Sequence, residues 1–182
     1  LMDTASANSI VTDSAAGSSS GGGGFRVKDG SLEVGVNGEA YLPIWQKFKK
    51  AGKMAGCVTT VPITHATPAG FCINSKSRNS QADIAEMYLD LQFDVMLGGG
   101  QNYFSAAERK DKKDMYTAFT DKGYQVAKTR SEMLNATNEK PLLGVFDQDG
   151  LPYYIDRNND ATLTATIPSL SEMAQKAIDR MK

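Results

Sequence analysis

Histidine is nearly absent from this chain: His65 is the only one in 182 residues. A site that needs several imidazoles cannot be assembled from this sequence alone. Cysteine is scarce as well. Cys57 and Cys72 are too few for a disulfide framework. The simpler reading is two small buried apolar side chains, and a bridge between them would need an oxidising compartment. Neither charge sign dominates. Twenty basic and 21 acidic residues give a net charge of -1, which leaves no basic field to hold nucleic acid. No apolar run approaches the length that crosses a bilayer, so no transmembrane span is expected. The glycine run Gly21 to Gly24 lacks the Gly-Lys-Ser/Thr ending of a phosphate-binding P-loop and continues as Phe25-Arg26.

What is present describes a globular α/β chain. Apolar residues make up 41% and charged residues 23%, the balance of an ordinary folded domain. The length suffices for one sizeable core rather than two independent ones. Asp29-Gly30 and Asn37-Gly38 signal turns. Leu42, Trp45 and Phe48 recur at helical spacing before Gly52, a C-terminal cap, and Trp45 reads as core. Met54 to Ile63 reads as a strand with Pro62 near its end. Ser80 opens a helix that buries Ile84, Tyr88 and Leu91. Phe93 to Leu97 reads as a short buried strand stopped by Gly98-Gly99-Gly100. Ser105 to Lys122 reads as a charged helix ended by Gly123, with residues 108–114 as a solvated face. Tyr124 to Ala127 and Leu142 to Phe146 read as two further strands. Leu170, Met173, Ala174, Ala177, Ile178 and Met181 form the clearest amphipathic stripe in the chain. Strands alternating with helices predict a mostly parallel sheet. Active sites in such sheets lie beyond the carboxyl ends of the strands, where Ser14, the loop with His65 and Thr67, and Gly98 to Gly100 are placed.

One stretch organises the rest: Ile10-Val11-Thr12-Asp13-Ser14-Ala15-Ala16-Gly17. Residues 1–7 lead into it. Two apolar residues, a polar trio and then small residues make the pattern of a strand handing over to a helix. A serine at that turn sits beside the N-terminal end of a helix, where N–H groups and the dipole favour an anion. It could attack phosphorus or a carbonyl carbon, and an ordinary capped helix start has the same pattern. Each glycine after Ser20 disfavours a helix by about 1 kcal/mol relative to alanine, so four together should end it or leave it frayed.

Thr12-Asp13-Ser14-Ala15-Ala16 resembles the nucleophile motif of the alkaline phosphatases. Further segments fit the same family in order. Ala51-Gly52-Lys53 leads into Val58-Thr59-Thr60; then come Ile63-Thr64-His65-Ala66-Thr67-Pro68-Ala69, Arg78, and Asp94 to Gly100. The resemblance is dense from Asn8 to Phe104 and looser to Lys182, where Pro168-Ser169-Leu170 still fits. It implies a three-layer α/β fold with a mostly parallel central sheet, alkaline-phosphatase-like and incomplete at both ends. Residues 1–182 would form a single partial domain.

The resemblance also implies a chemistry: hydrolysis of small phosphate monoesters with two zinc ions and one magnesium. Ser14 would be nucleophile and zinc ligand and would carry a phosphoserine. Arg78 would clamp two phosphate oxygens, and Asp13 would orient Arg78. Thr67 would bind magnesium, with His65 in that ion's outer shell. Taken alone, Arg78 would be a surface residue, Asp13 a helix cap and His65 a hydrogen-bonded loop residue. The complete protein would be a homodimer in a periplasmic or secreted setting. The chain opens mid-pattern at Leu1-Met2-Asp3 and its last helix is cut at Lys182. The expectation is therefore a fragment, inactive alone, whose other metal ligands lie elsewhere. Two readings compete with this one. The first is a phosphodiesterase of the wider superfamily, although such relatives usually replace the Asp-Ser-Ala-Ala context and the arginine. The second is a non-catalytic α/β binding module that lost the site, which only the glycine run supports.

Overall fold

The structure, a computed structural model, describes residues 3–182. Leu1 and Met2, the start of the connection expected over 1–7, lie outside the described residues. The chain divides into two units, one of the residues up to Ala55 with Thr64–Leu91, the other of Gly56–Ile63 with Gln92–Lys182.

The first unit carries helices α1 (Ser14–Gly22), α2 (Ile44–Lys50), α3 (Ala66–Ala69) and α4 (Gln81–Leu91). α1 consists only of serine, alanine and glycine, and these small residues let it close on α3. Ser18 Oγ donates to Ala66 O at 3.0 Å, and a Cβ on Gly70 would stand 2.0 Å from that hydroxyl. The helix runs two residues into the glycine run and is capped at Gly23. α4 buries Ile84 and Tyr88 as its spacing predicts, while Leu91 is half-buried. α2 buries no residue fully: Trp45 is half-buried and Phe48 is 48% exposed. Its apolar stripe covers surface and does not build a core. Gly52 follows with φ +71°, the left-handed position past a helix end.

Ile10 and Val11 are not the end of a strand. They are 94% and 75% exposed. Ser6 Oγ donates to Ser9 O at 2.9 Å, and Val11 N donates to Ser9 Oγ at 3.1 Å. Such local side-chain bonds hold the backbone in turns and compete with a ladder. α1 therefore starts from a turn, and Ser14 does not follow a strand.

The second unit holds the sheet. Four parallel strands, β1 (Gly56–Pro62), β2 (Val95–Gly99), β3 (Gln125–Ala127) and β4 (Leu142–Val145), lie in the order β1-β2-β4-β3. β2 and β4 are buried along their whole length, which is why they read as unbroken apolar runs. Val95, Leu97, Leu142 and Phe146 form one core cluster with Met133, Ile167, Met173 and Ala177. β2 continues past Leu97 because the missing side chain of Gly98 leaves room for Thr59 and Ile63, and that of Gly99 leaves room for the 147–150 turn. A Cβ on Gly99 would stand 1.9 Å from Asp149 O, and Gly100 N and Gln101 N both donate to Asp147 O.

The helix expected over Ser105–Lys122 is reduced to its end, α5 (Met115–Asp121). Arg109, assigned to a solvated face, is only 2% exposed. It donates to Tyr103 O at 2.9 Å and to Asp111 Oδ1 at 2.8 Å, and Lys112 takes φ +58°. These contacts fold 105–114 into turns. This unit also holds three short helices that the sequence does not predict, α6 (Arg130–Asn135), α7 (Tyr154–Asn159) and α8 (Ala161–Thr166), as the first unit holds α3 where a loop is expected. α9 (Leu170–Arg180) starts at a capping box between Ser169 and Glu172. Its stripe is only partly covered: Met173 and Ala177 are buried, while Leu170 and Ile178 are 51% and 53% exposed. Cys57 and Cys72 are buried; Cys72 Sγ donates to Pro68 O at 2.8 Å, and burial pushes the Cys57 pKa up to about 12.

Candidate active site

Asp13, Ser14, His65, Thr67 and Arg78 all belong to the first unit; Gly98 to Gly100 belong to the second, at the end of β2. Ser14 is the first residue of α1 and is half-buried. Asp13 precedes it as the N-cap, with Oδ1 accepting from Ala16 N at 2.8 Å. Oδ2 of the same carboxylate accepts from Gly30 N at 2.9 Å and from Arg78 Nη1 at 3.0 Å. One side chain thus ties the start of the helix to the guanidinium. Burial would raise the Asp13 pKa. The bonds from Ala16, Arg78 and Gly30 outweigh it and hold the carboxyl below its ordinary value.

Arg78 is anchored twice more. Its backbone N donates to Gly30 O at 2.7 Å, and its Nη2 lies 3.2 Å from His65 Nε2. A guanidinium has donors only, so Nε2 accepts and a neutral imidazole then carries its proton on Nδ1. The 3.5 Å approach of Thr67 N to Nδ1 is at the limit of a hydrogen bond and competes with that arrangement. His65 stands just ahead of α3, and Thr67 is exposed on that helix. Asp13 and His65 engage two of the five N–H donors of Arg78, which leaves three for an anion. The first-turn N–H groups of α1 add to the same positive end.

Two members of this arrangement were not singled out from sequence. Gly30, with φ +80°, links Asp13 to Arg78 through its N–H and its carbonyl. Its only sequence signal is the Asp29-Gly30 turn. The other is the role of His65 as a partner of Arg78. Among the described residues no group of three or more His, Cys, Asp or Glu could hold a metal ion. Ser14 and Thr67 offer one hydroxyl each and His65 Nε2 is engaged by Arg78, so these residues do not make a metal centre by themselves.

The family model for alkaline phosphatase matches residues 1–182. Alkaline phosphatase 3 of Bacillus subtilis is 35% identical over 177 residues, which is 94% of this chain and 36% of that protein. The crystal structure of Thermus thermophilus alkaline phosphatase is similar over 100% of this chain and 37% of its own, with 41% identity and a TM-score of 0.92. A TAB5 alkaline phosphatase mutant with Mg bound in its M3 site is similar over 100% of this chain and 50% of its own, at 25% identity and a TM-score of 0.82. The chain spans little more than a third of the Bacillus and Thermus relatives.

Proposed function

We infer, from a chain that belongs to the alkaline phosphatase family, that it carries the nucleophile and the phosphate clamp of a phosphomonoesterase. The observation behind this is the double use of Asp13, which caps the helix beginning at Ser14 with one oxygen and holds Arg78 with the other. Arg78 would take two non-bridging oxygens of a phosphate monoester in its planar fork. Ser14 Oγ would attack phosphorus in line with the ester oxygen. The Oγ–P bond forms as the P–O ester bond breaks, and the alcohol leaves with a proton. Water then cleaves the phosphoserine and releases inorganic phosphate.

An unactivated serine is a weak nucleophile, and no residue among those described hydrogen-bonds Ser14 Oγ. Residues 1–182 alone are therefore proposed to be inactive. The metal cofactors suggested by the family and by the Mg-bound relative are, in this reading, two zinc ions and one magnesium. From these residues they would take no more than the Ser14 and Thr67 hydroxyls, with His65 beside the magnesium. No helix among the described residues is long and apolar enough to cross a membrane. A periplasmic or secreted setting and a homodimer of the complete protein belong to the same reading.

The test is Ser14→Ala in the complete protein. It should lose turnover and yield no acid-trapped phosphoserine, and parent-like turnover would overturn the assignment. Residues 1–182 alone, given zinc and magnesium, should not turn over a chromogenic phosphate monoester at alkaline pH. Turnover near that of a full-length relative would overturn that part.

A further inference from the structure

One buried ionisable group has no part in the chemistry above. Glu33 is 0% exposed, and neither oxygen of its carboxyl has a hydrogen-bond partner among the described residues. Its φ is +51°, in the left-handed region that a glutamate enters at a cost. The main chain is nonetheless pinned there. Glu33 N donates to Ser19 Oγ at 3.0 Å, and Glu33 O accepts from Asn74 Nδ2 at 2.7 Å and from Tyr41 N at 3.0 Å. The side chain is aimed at the C-terminal end of α1. A Cβ on Gly23 would stand 1.9 Å from Oε2, and one on Gly22 would stand 2.9 Å from Oε1. One carboxyl occupies the space that two side chains would need.

That place suits a neutral carboxyl and not a charged one. It is out of water, and the end of a helix presents carbonyl oxygens and the negative end of the dipole. Desolvation pushes the Glu33 pKa up to about 8, against the opposing effect of Lys47 on α2. The groups that meet Glu33 through hydrogen bonds or at Gly22 and Gly23 are uncharged. α1 contributes Ser19, Gly22 and Gly23, the segment after α3 contributes Gly70, Phe71 and Asn74, and Tyr41 is met through its main chain.

We propose that Glu33 is a proton-gated wedge that positions α1, the helix that begins at Ser14. Protonated, it fills the gap beside Gly22 and Gly23. Loss of its proton to solvent sets a charge against the helix end and loosens that end. Glu33 is a positioning residue, and only its effect on Ser14 rests on the reading of Ser14 as nucleophile.

The wedge is tested on the whole chain without turnover. A carbon-13 carboxyl titration by NMR should give Glu33 a midpoint near 8. A midpoint near the ordinary 4.5 overturns the proposal. Between these values the folded chain keeps a proton that the unfolded chain releases. The urea midpoint should fall across that range and level off above it, and Glu33→Gln should remove this fall. An unchanged fall in Glu33→Gln overturns the proposal. Gly23→Ala should lower the urea midpoint in the parent and much less in Glu33→Gly. Equal loss in both backgrounds overturns the steric part. In the complete protein, the pH profile of turnover should show an inflection near 8 that Glu33→Gln lacks. If the inflection persists in Glu33→Gln, the link to Ser14 is wrong even where the NMR and urea results hold.

Discussion

Replacing Asp13 separates two jobs that one carboxylate performs. Asp13→Ala removes the helix cap, the bond to Gly30 N–H and the pair with Arg78. An N-cap is worth about 1 kcal/mol and the Gly30 bond about 1 kcal/mol more. The Arg78 and Asp13 side chains are 24% and 27% exposed, so their pair adds no more than about 1 kcal/mol. The total is about 2–3 kcal/mol. Asp13→Asn keeps one acceptor. With its oxygen on Ala16 N–H, its amide nitrogen faces Gly30 N–H and Arg78, donors against donors. That variant should keep the cap, lose about 1–2 kcal/mol and release Arg78. Urea unfolding followed by circular dichroism should rank parent, Asn and Ala in falling stability at neutral pH. In the complete protein both variants should be inhibited less by inorganic phosphate. The folded pKa lies below 3.8, so the carboxylate's contribution is present above that value and is lost as pH falls through the folded pKa. Parent and Asp13→Asn should therefore converge in acid. An Asn variant as stable as the parent at neutral pH would refute the bridging role. So would phosphate inhibition equal to the parent's in both variants.

Two further outcomes concern Glu172 and a pair of glycines, one from each unit. Glu172, bonded by Arg130 and by Ser169 at the start of α9, has its pKa held down to about 2, chiefly by Arg130; its stabilisation is present above 4.5 and lost as pH falls toward about 2. Glu172→Gln should lose that acid sensitivity in a urea series, and an unchanged acid limb would refute it. Gly99→Ala should cost about 3 kcal/mol or more, because its Cβ would meet Asp149 O at 1.9 Å. Gly24→Ala, in open space at φ +85°, should cost about 1 kcal/mol; the reverse order would refute the packing argument.

Legibility followed whether a signal was local. The parallel sheet is readable because β2 and β4 are continuous apolar runs buried on both faces. α9 is readable from its spacing, and the Ser169-to-Glu172 box agrees with it. The turns at 105–114 were not, since alternating charge looks solvated until Tyr103 O draws Arg109 inside. α6, α7 and α8 have six residues each, too few for a helical period to declare itself. In the site, Ser14 and Asp13 stand out through their motif, and Arg78 only through the family resemblance. The contact of His65 with Arg78 crosses 13 residues, and no local pattern encodes it.

The glycine run ends α1 two residues in, as its propensity predicts, and what remains of the helix is supported by packing. Counted as helix breakers, its residues predict a helix that ends or frays behind Ser14. In the fold Gly21, Gly22 and Gly23 each answer to a neighbour, while Gly24 stands in open space. A Cβ on Gly22 would stand 2.3 Å from Gly70 O, and one on Gly23 would strike Glu33. Short helices draw most of their stability from packing and little from propensity, and α1 is an extreme case, since no residue in it is larger than serine. Its rigidity is therefore set by what presses on it. Ser18 meets α3 midway, and the Glu33 carboxyl meets the last turn, about 12 Å along the axis from Ser14. The run is thus no argument for a non-catalytic module. A change at residue 33, remote in sequence from the motif, should disturb the presentation of Ser14 more than substitutions on the exposed loop at Ile10 and Val11.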